Sequence, residues 1–353
     1  MLATFLTALL FADPALVAVQ PAGKEPTLRL GGLLQIQAEF GDRGDTRWDN
    51  DNDRIFLRRA RINVQGRFLG EFEFKLEADA AGTLSSTSGL RLQLTDGYLD
   101  WKRYTFAVVR VGQFKTPFGY EQLYPDPRLF TPERSLVNDR LTLSRQLGAQ
   151  VSGELLDGRL SYAAGLFNGS GANNSGNDNE QFLCAGRLSG VLQLGRLWGA
   201  ESRISLGGNG YSDTAQGVPV FSEIGVPNNL FTGERAGTGL DLQWQIGRFD
   251  LWLEALRVEF EPEDGLPAPE LRSDGGYAQL AFYVVPKRLQ AVAKHEVFDP
   301  VDAAPSDERT GIIVGGNLFK GDDIKIQAHY YRSDLEGAPE NESKAILRMQ
   351  AIF

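Results

Sequence analysis

A stretch in which every second side chain is polar, without a break, leaves a chain few ways to fold. From Arg59 to Phe68, the residues Ala60, Ile62, Val64, Gly66 and Phe68 share one parity, and Arg59, Arg61, Asn63, Gln65 and Arg67 share the other. After Leu69-Gly70 the alternation resumes, with Phe72, Phe74, Leu76 and Ala78 set against Glu71, Glu73, Lys75, Glu77 and Asp79. A period of two places the two sets on opposite faces of a β-strand, and the Gly-containing break makes the pair a hairpin. If Phe68 pairs with Phe72, the same register sets Arg67 against Glu73 and Arg61 near Asp79. Such a hairpin suits either a half-buried soluble sheet or a membrane barrel, in which apolar residues meet lipid and polar ones a wet lumen.

The rest of the chain decides between them. Period-two segments begin at Leu28–Phe40 and continue through 90–101, 105–114, 146–155, 159–167, 183–194, 202–211, 238–246, 249–260, 277–284, 288–298, 311–319 and 325–332 to 344–353. With the opening hairpin that is about sixteen, each near the ~9–11 residues that cross a bilayer at a tilt. The connections alternate in length. Leu69-Gly70, Lys102-Arg103-Tyr104, Leu156-Asp157-Gly158, Gly247-Arg248, Val285-Pro286-Lys287 and Gly321-Asp322 are tight; between them run long polar links such as 41–53, 115–145, 168–180, 212–237 and 261–276. The pattern predicts an all-β fold: a transmembrane antiparallel β-barrel of about 16 strands, an up-and-down meander with short periplasmic turns and long extracellular loops. A soluble sandwich would mix lengths and use Greek-key crossovers. Trp101, Tyr104, Trp198, Tyr283, Tyr330 and Tyr331 fall near strand ends, where rings favour the headgroup level.

Residues 28–353 thus read as a single barrel domain, in contact with outer-membrane lipid and lipopolysaccharide. Residues 1–18 read as an export signal, with an apolar run from Leu2 to Ala12 and a small residue, Ala18, for cleavage; the first basic residue is as late as Lys24. Residues 19–27 would then be a short periplasmic leader. At the other end Ala345, Leu347, Met349, Ala351 and Phe353 alternate with polar and aliphatic residues. A final strand ending on Phe353 resembles the signal that outer-membrane barrels present to the barrel assembly machinery.

Sixteen strands enclose a water-filled channel rather than a packed core, so the expected function is passage of small solutes. Residues 115–145 form the expected constriction. The loop carries Phe118, Tyr120, Tyr124 and Phe130, stiffened by Pro117, Pro125, Pro127 and Pro132, and such rings fit a loop folded inward against the wall. Lys115, Arg128, Arg134 and Arg140 would line the narrow point beside Glu121 and Glu133.

Several motifs in this region carry a resemblance. Arg58-Arg59-Ala60-Arg61, Thr95-Asp96-Gly97-Tyr98, Gly112-Gln113-Phe114-Lys115-Thr116-Pro117-Phe118-Gly119 with Glu121, Glu133-Arg134-Ser135-Leu136 and the segment from Tyr162 to Gly169 are similar to the phosphate-selective porin O and P family. The resemblance implies a bacterial outer-membrane porin, sixteen-stranded and homotrimeric, in which basic residues of the lumen wall and third loop pass anions, phosphate or polyphosphate among them. Carried over by position, these are Arg59, Arg61, Lys115 and Arg134. The chain departs from the family's phosphate specialists in its net charge of -10. Many of its acids lie in the outer links, among them Asp42, Asp45, Asp49, Asp51 and Asp53. Screening over ~8 Å at physiological salt separates such a mouth from a deeper filter, and the expectation is mild anion preference.

Other chemistries find little support. Asp49-Asn50-Asp51-Asn52-Asp53 starts like a calcium loop, but Arg54 stands where the turn glycine belongs and Ala60 where the last glutamate belongs. One cysteine, Cys184, and two histidines in separate strands, His295 and His329, give no metal cluster of usual spacing. No cofactor, enzyme activity or nucleic-acid partner is expected. The competing function is a structural or adhesive barrel with a closed lumen, which would place large apolar groups on both strand parities.

Overall fold

In a computed structural model the described residues are 26–42, 53–81, 92–177, 179–263, 270–302, 307–335 and 342–353. The expected signal at 1–18 lies outside them, as do 19–25 of the leader; Thr27 is already strand. Sixteen strands follow in order. They are β1 (Thr27–Gly41), β2 (Arg54–Phe68), β3 (Phe72–Asp79), β4 (Gln93–Tyr104), β5 (Ala107–Lys115), β6 (Arg145–Leu155), β7 (Leu160–Phe167) and β8 (Leu183–Leu197). The second half comprises β9 (Ala200–Pro219), β10 (Leu230–Ile246), β11 (Phe249–Pro262), β12 (Leu271–Val285), β13 (Leu289–Asp299), β14 (Arg309–Lys320), β15 (Ile324–Leu335) and β16 (Glu342–Ile352). Each pairs with its sequence neighbours, and β1 also pairs with β16, so the sheet closes and has no free edge. Among the described residues no helix is long and apolar enough to cross a membrane.

The register expected from Phe68 and Phe72 is the one found: Arg67 faces Glu73 and Arg61 faces Asp79. The hairpin turns because Leu69 and Gly70 both adopt positive φ, 52° and 77°, as a two-residue turn matched to strand twist requires. Outward positions such as Leu30, Ile62, Leu76, Leu188, Leu240 and Leu347 are exposed and form the apolar band. Rings cluster at the short-turn end of the wall: Phe68 stacks on Phe72, Trp101 meets Tyr104, Trp198 meets Trp244 and Phe249 stacks on Phe282. Tyr331 does not join them. It points into the barrel, buried with Ile313 and Ile346, because it shares parity with the lumenal His329 and Gln327.

Two expectations about the lumen fail together. Link 212–237 is mostly strand: β9 runs to Pro219 and β10 starts at Leu230, leaving a short tip. That tip curls inward, where Phe221 packs edge-on against Phe260 and Phe298. Inward positions are not uniformly polar either. Tyr211, Phe231, Trp252, Val258, Phe260, Tyr277 and Phe298 form an apolar core inside one side of the barrel. These rings face not water but the inward tip and residues 115–145, whose Phe118, Leu136, Val137 and Leu141 are buried in the same cluster. Each such side chain contributes up to ~1.5–3 kcal/mol relative to an exposed one, so the loop is held by a core of its own.

Candidate functional site

The loop leaves the wall where β5 and β6 end. Lys115 opposite Arg145 is their last rung, and the Thr116 amide donates to Ser144 O at 3.1 Å. Gly112, at φ 133°, lies so close to β4 that a side chain there would meet Gly97 O; this motif glycine is thus there for backbone contact. Phe114 packs against Phe167 and Tyr98, and Phe118 against Tyr211. Gly119 then opens helix α1 (Tyr120–Leu123); a proline-flanked turn at Asp126 follows, and Ser135 caps helix α2 (Leu136–Leu141) through the Asn138 amide at 3.3 Å.

Charges fix this path to the wall. Asp126 is the hub on one side: Arg61 Nη1 reaches its carboxylate at 2.5 Å, Arg59 Nε lies at 3.4 Å, and Arg134 pairs with the other oxygen. Burial alone would raise the Asp126 carboxyl, but Arg59, Arg134, Lys115 and Arg61 outweigh it and hold the group well below the ordinary 3.8. Glu133 takes a bidentate bond from Arg58 on β2, at 2.8 and 2.9 Å, and pairs with Arg348 on β16. Burial again opposes ionisation, and those two guanidiniums again prevail, so Glu133 stays below its ordinary 4.5. Glu121 pairs with Lys294 on β13 at 2.6 Å and accepts from Ser135. Glu254 on β11 accepts from the Tyr120 and Glu121 amides and from Asn138, while Glu296 on β13 accepts from the Leu136 amide. Lys325 on β15 donates to Pro127 O and Leu129 O, both at 2.8 Å.

Several residues expected to line the pore therefore have another place. Arg59 and Glu121 are buried and Glu133 is half-buried between loop and wall, where they hold the loop. Arg134 is tied to Glu121 O and Tyr124 O, whereas Lys115, though it donates to Gln122 O and Tyr124 O, stays at the opening. Arg140 lies apart, between Asp139 and Glu223 of the inward tip. Arg128 is exposed and makes no ion pair among the described residues. Arg58 was hidden by parity. A bulge opposite Gln35 and Ile36 adds one residue to β2 and lets Arg58 turn inward beside Arg59.

Open space remains between the loop and strands β1–β8, and again nearer the short turns beside Arg67, Glu73 and Lys102. The first, the smaller of the two, is a cavity of ≈ 420 Å³ lined by Arg61, Lys75, Arg110, Lys115, Arg145 and Arg187, with Glu77, Asp96 and Asp126 as its acids. Six cations thus face three carboxylates. The partners matter as much as the count. Arg110 binds Asp100 through both oxygens, at 2.6 and 2.8 Å, and Arg187 binds Asp241 likewise, at 2.5 and 2.8 Å. In the first pair the arginine side chain is 27% exposed and the aspartate 1%; in the second the values are 12% and 0%. The guanidiniums face the opening and the acids stand behind them. Lys75 and Arg145 share Asp96, at 2.8 and 2.7 Å. Lys75 was visible in the lumenal parity set; Arg187 and Asp126 had no local signal.

A closed barrel of sixteen strands, with an apolar outer band, aromatic pairs at its rim and a loop folded into a charged lumen, defines an outer-membrane porin. The chain belongs to the phosphate-selective porin O and P family, whose family model matches residues 30–219. It is similar to porin O of Pseudomonas aeruginosa, 22% identical over 361 residues that span 93% of this chain and 79% of that protein. Among solved structures, the Vibrio cholerae outer membrane protein OmpT, folded in vitro and in trimer form, aligns with a TM-score of 0.62 and 13% identity over 93% of this chain and 99% of that one. The outer membrane channel DcaP of Acinetobacter baumannii gives 0.60 and 12% over 96% and 100%. These two likenesses are of fold. The protein is therefore an outer-membrane channel protein of the porin class.

Proposed function

We propose that the chain is a passive, water-filled diffusion channel with mild anion preference, phosphate being one of the anions that pass, and that it performs no catalysis. The observation that carries this is the cavity lining: six cations against three acids, with Asp100 and Asp241 shielded behind the arginines they bind. Low-dielectric walls focus such a field, and side-chain charge at a constriction is a sufficient selectivity device. Because the cations are already paired, the preference is modest rather than absolute. The family name and the porin O likeness support phosphate as a solute. The trimeric form of the Vibrio relative supports a homotrimer. Although Phe114, Phe167 and Leu183 extend the apolar cluster onto β5, β7 and β8, a cavity lined by charged side chains stays open on this side, which favours the channel over a closed adhesive barrel. The test is the reversal potential of purified channels in a KCl gradient. Chloride preference is expected, with a marked fall in Lys75→Gln, Arg110→Gln. Cation preference in the parent protein, or silent bilayers, would refute the reading.

A further inference from the structure

The cavity has two unlike sides. Toward the wall stand the cations, with the Arg110 guanidinium 3.8 Å from the Tyr98 ring centre and 5.4 Å from that of Phe114. Toward the loop the lining is Pro117, Leu123, Pro125 and Pro127, together with Asp126. Proline has no amide hydrogen to donate. The nearby carbonyls of Gln122 and Tyr124 are already taken by Lys115 and Arg134. Beyond the Lys115 ammonium, already bonded to two of these carbonyls, the proline face of the loop offers a passing anion no donor, and it carries one carboxylate that repels it.

Resting on the anion-channel reading above, we infer that this cavity retains small organic anions with an apolar body, such as aryl phosphates or aryl carboxylates, in preference to inorganic phosphate. A bare phosphate is hydrated on all sides, and the side formed by Pro117, Leu123, Pro125 and Pro127 cannot replace that water; unreplaced hydrogen bonds are costly. An aryl phosphate turns its charged end to Arg110, Lys75 and Arg145 and its ring to Leu123 and the prolines. It gives up little hydration on the loop side and removes apolar surface from water.

The experiment measures block of chloride current through the full-length channel by phenyl phosphate and by inorganic phosphate, at a pH where both are dianions. If the ring covers about 60 Å² of apolar surface, phenyl phosphate should half-block at a concentration about tenfold lower. Leu123→Asn should cut that ratio to about threefold or less, with chloride preference and unit conductance retained. Arg110→Gln should weaken both blockers alike, and uncharged phenol should block neither variant nor parent. Equal block by the two phosphates in a channel that still prefers chloride overturns this inference alone. Block by phenol overturns it too, by locating the effect in lipid or in ring contacts without charge. Loss of chloride preference in the parent removes the channel reading and this inference with it. A ratio untouched by Leu123→Asn overturns the assignment of the apolar side.

Discussion

Asp126→Asn is the most informative change the structure offers. Among the described residues Asp126 is the one carboxylate that meets Arg59, Arg61 and Arg134 together, and it does so where water is almost absent: its side chain is 4% exposed, against 7% for Arg59. The amide is nearly isosteric, so the change removes charge and little else. Taking one partner from a buried pair leaves an uncompensated ion, at a cost of ~3–5 kcal/mol. Arg61 retains Asp79, and Arg134 retains loop carbonyls, but Arg59 is left with Gln35 alone at 2.8 Å. The cost therefore falls on the docked loop, not on the strand ladders. A loss of ~3 kcal/mol or more raises the undocked fraction by at least a hundredfold. Circular dichroism should be unchanged. Single-channel current should become noisy, with excursions to higher conductance, and amide exchange over 120–135 should accelerate. Asp126→Glu, which keeps the charge, should be closer to the parent. Quiet currents and parental exchange rates in Asp126→Asn would show that the apolar core alone holds the loop and that the charge hub is incidental.

Acid should act through the same groups. Asp126 and Glu133 ionise below their ordinary values of 3.8 and 4.5, so their contribution is complete above those values and is lost as pH falls through the lower, folded-state ones. Current noise should stay constant from neutral pH to about 5 and rise only in stronger acid; a transition near neutrality would contradict this. Val64→Arg, on the outward face between Leu30 and Leu76, should destabilise the barrel by ~2–4 kcal/mol in lipid, while Gln65→Arg on the lumenal face should be near neutral. Equal losses in a denaturant titration would show the faces to be misassigned. Gly32→Leu should impair closure, because a side chain there would strike the Phe353 ring and Arg61 O; parental thermal stability in detergent would refute it.

The strands were readable because a wall between lipid and water forces strict alternation, and even the Arg61–Asp79 and Arg67–Glu73 register follows from one aromatic pair. The inward loop was readable from its rings and prolines. Its fastenings were not. Arg58 turns inward through a bulge, which a parity count cannot see, and Asp126 sits between two prolines where it reads as an ordinary turn. Lys294, Lys325 and Arg348 meet the loop from strands near the far end of the chain, and nothing local marks them as partners. The anion preference proposed above rests on a partly different set of residues: Arg61 and Lys115 stay in it, and Lys75, Arg110, Arg145 and Arg187 stand in place of Arg59 and Arg134.

One consequence concerns the order of assembly. Glu133 joins Arg58 on β2 to Arg348 on β16, and Gln350 reaches Pro127 O from the same final strand. The loop thus straps the seam where the first and last strands meet, and its ties to β2 and to β16 cannot be held together until that seam has zipped. A barrel caught before closure would carry its constriction unfastened and would be a wider, leakier and more protease-sensitive object than the finished one. Cleavage within 120–135 during refolding would then time the moment of closure from inside the lumen.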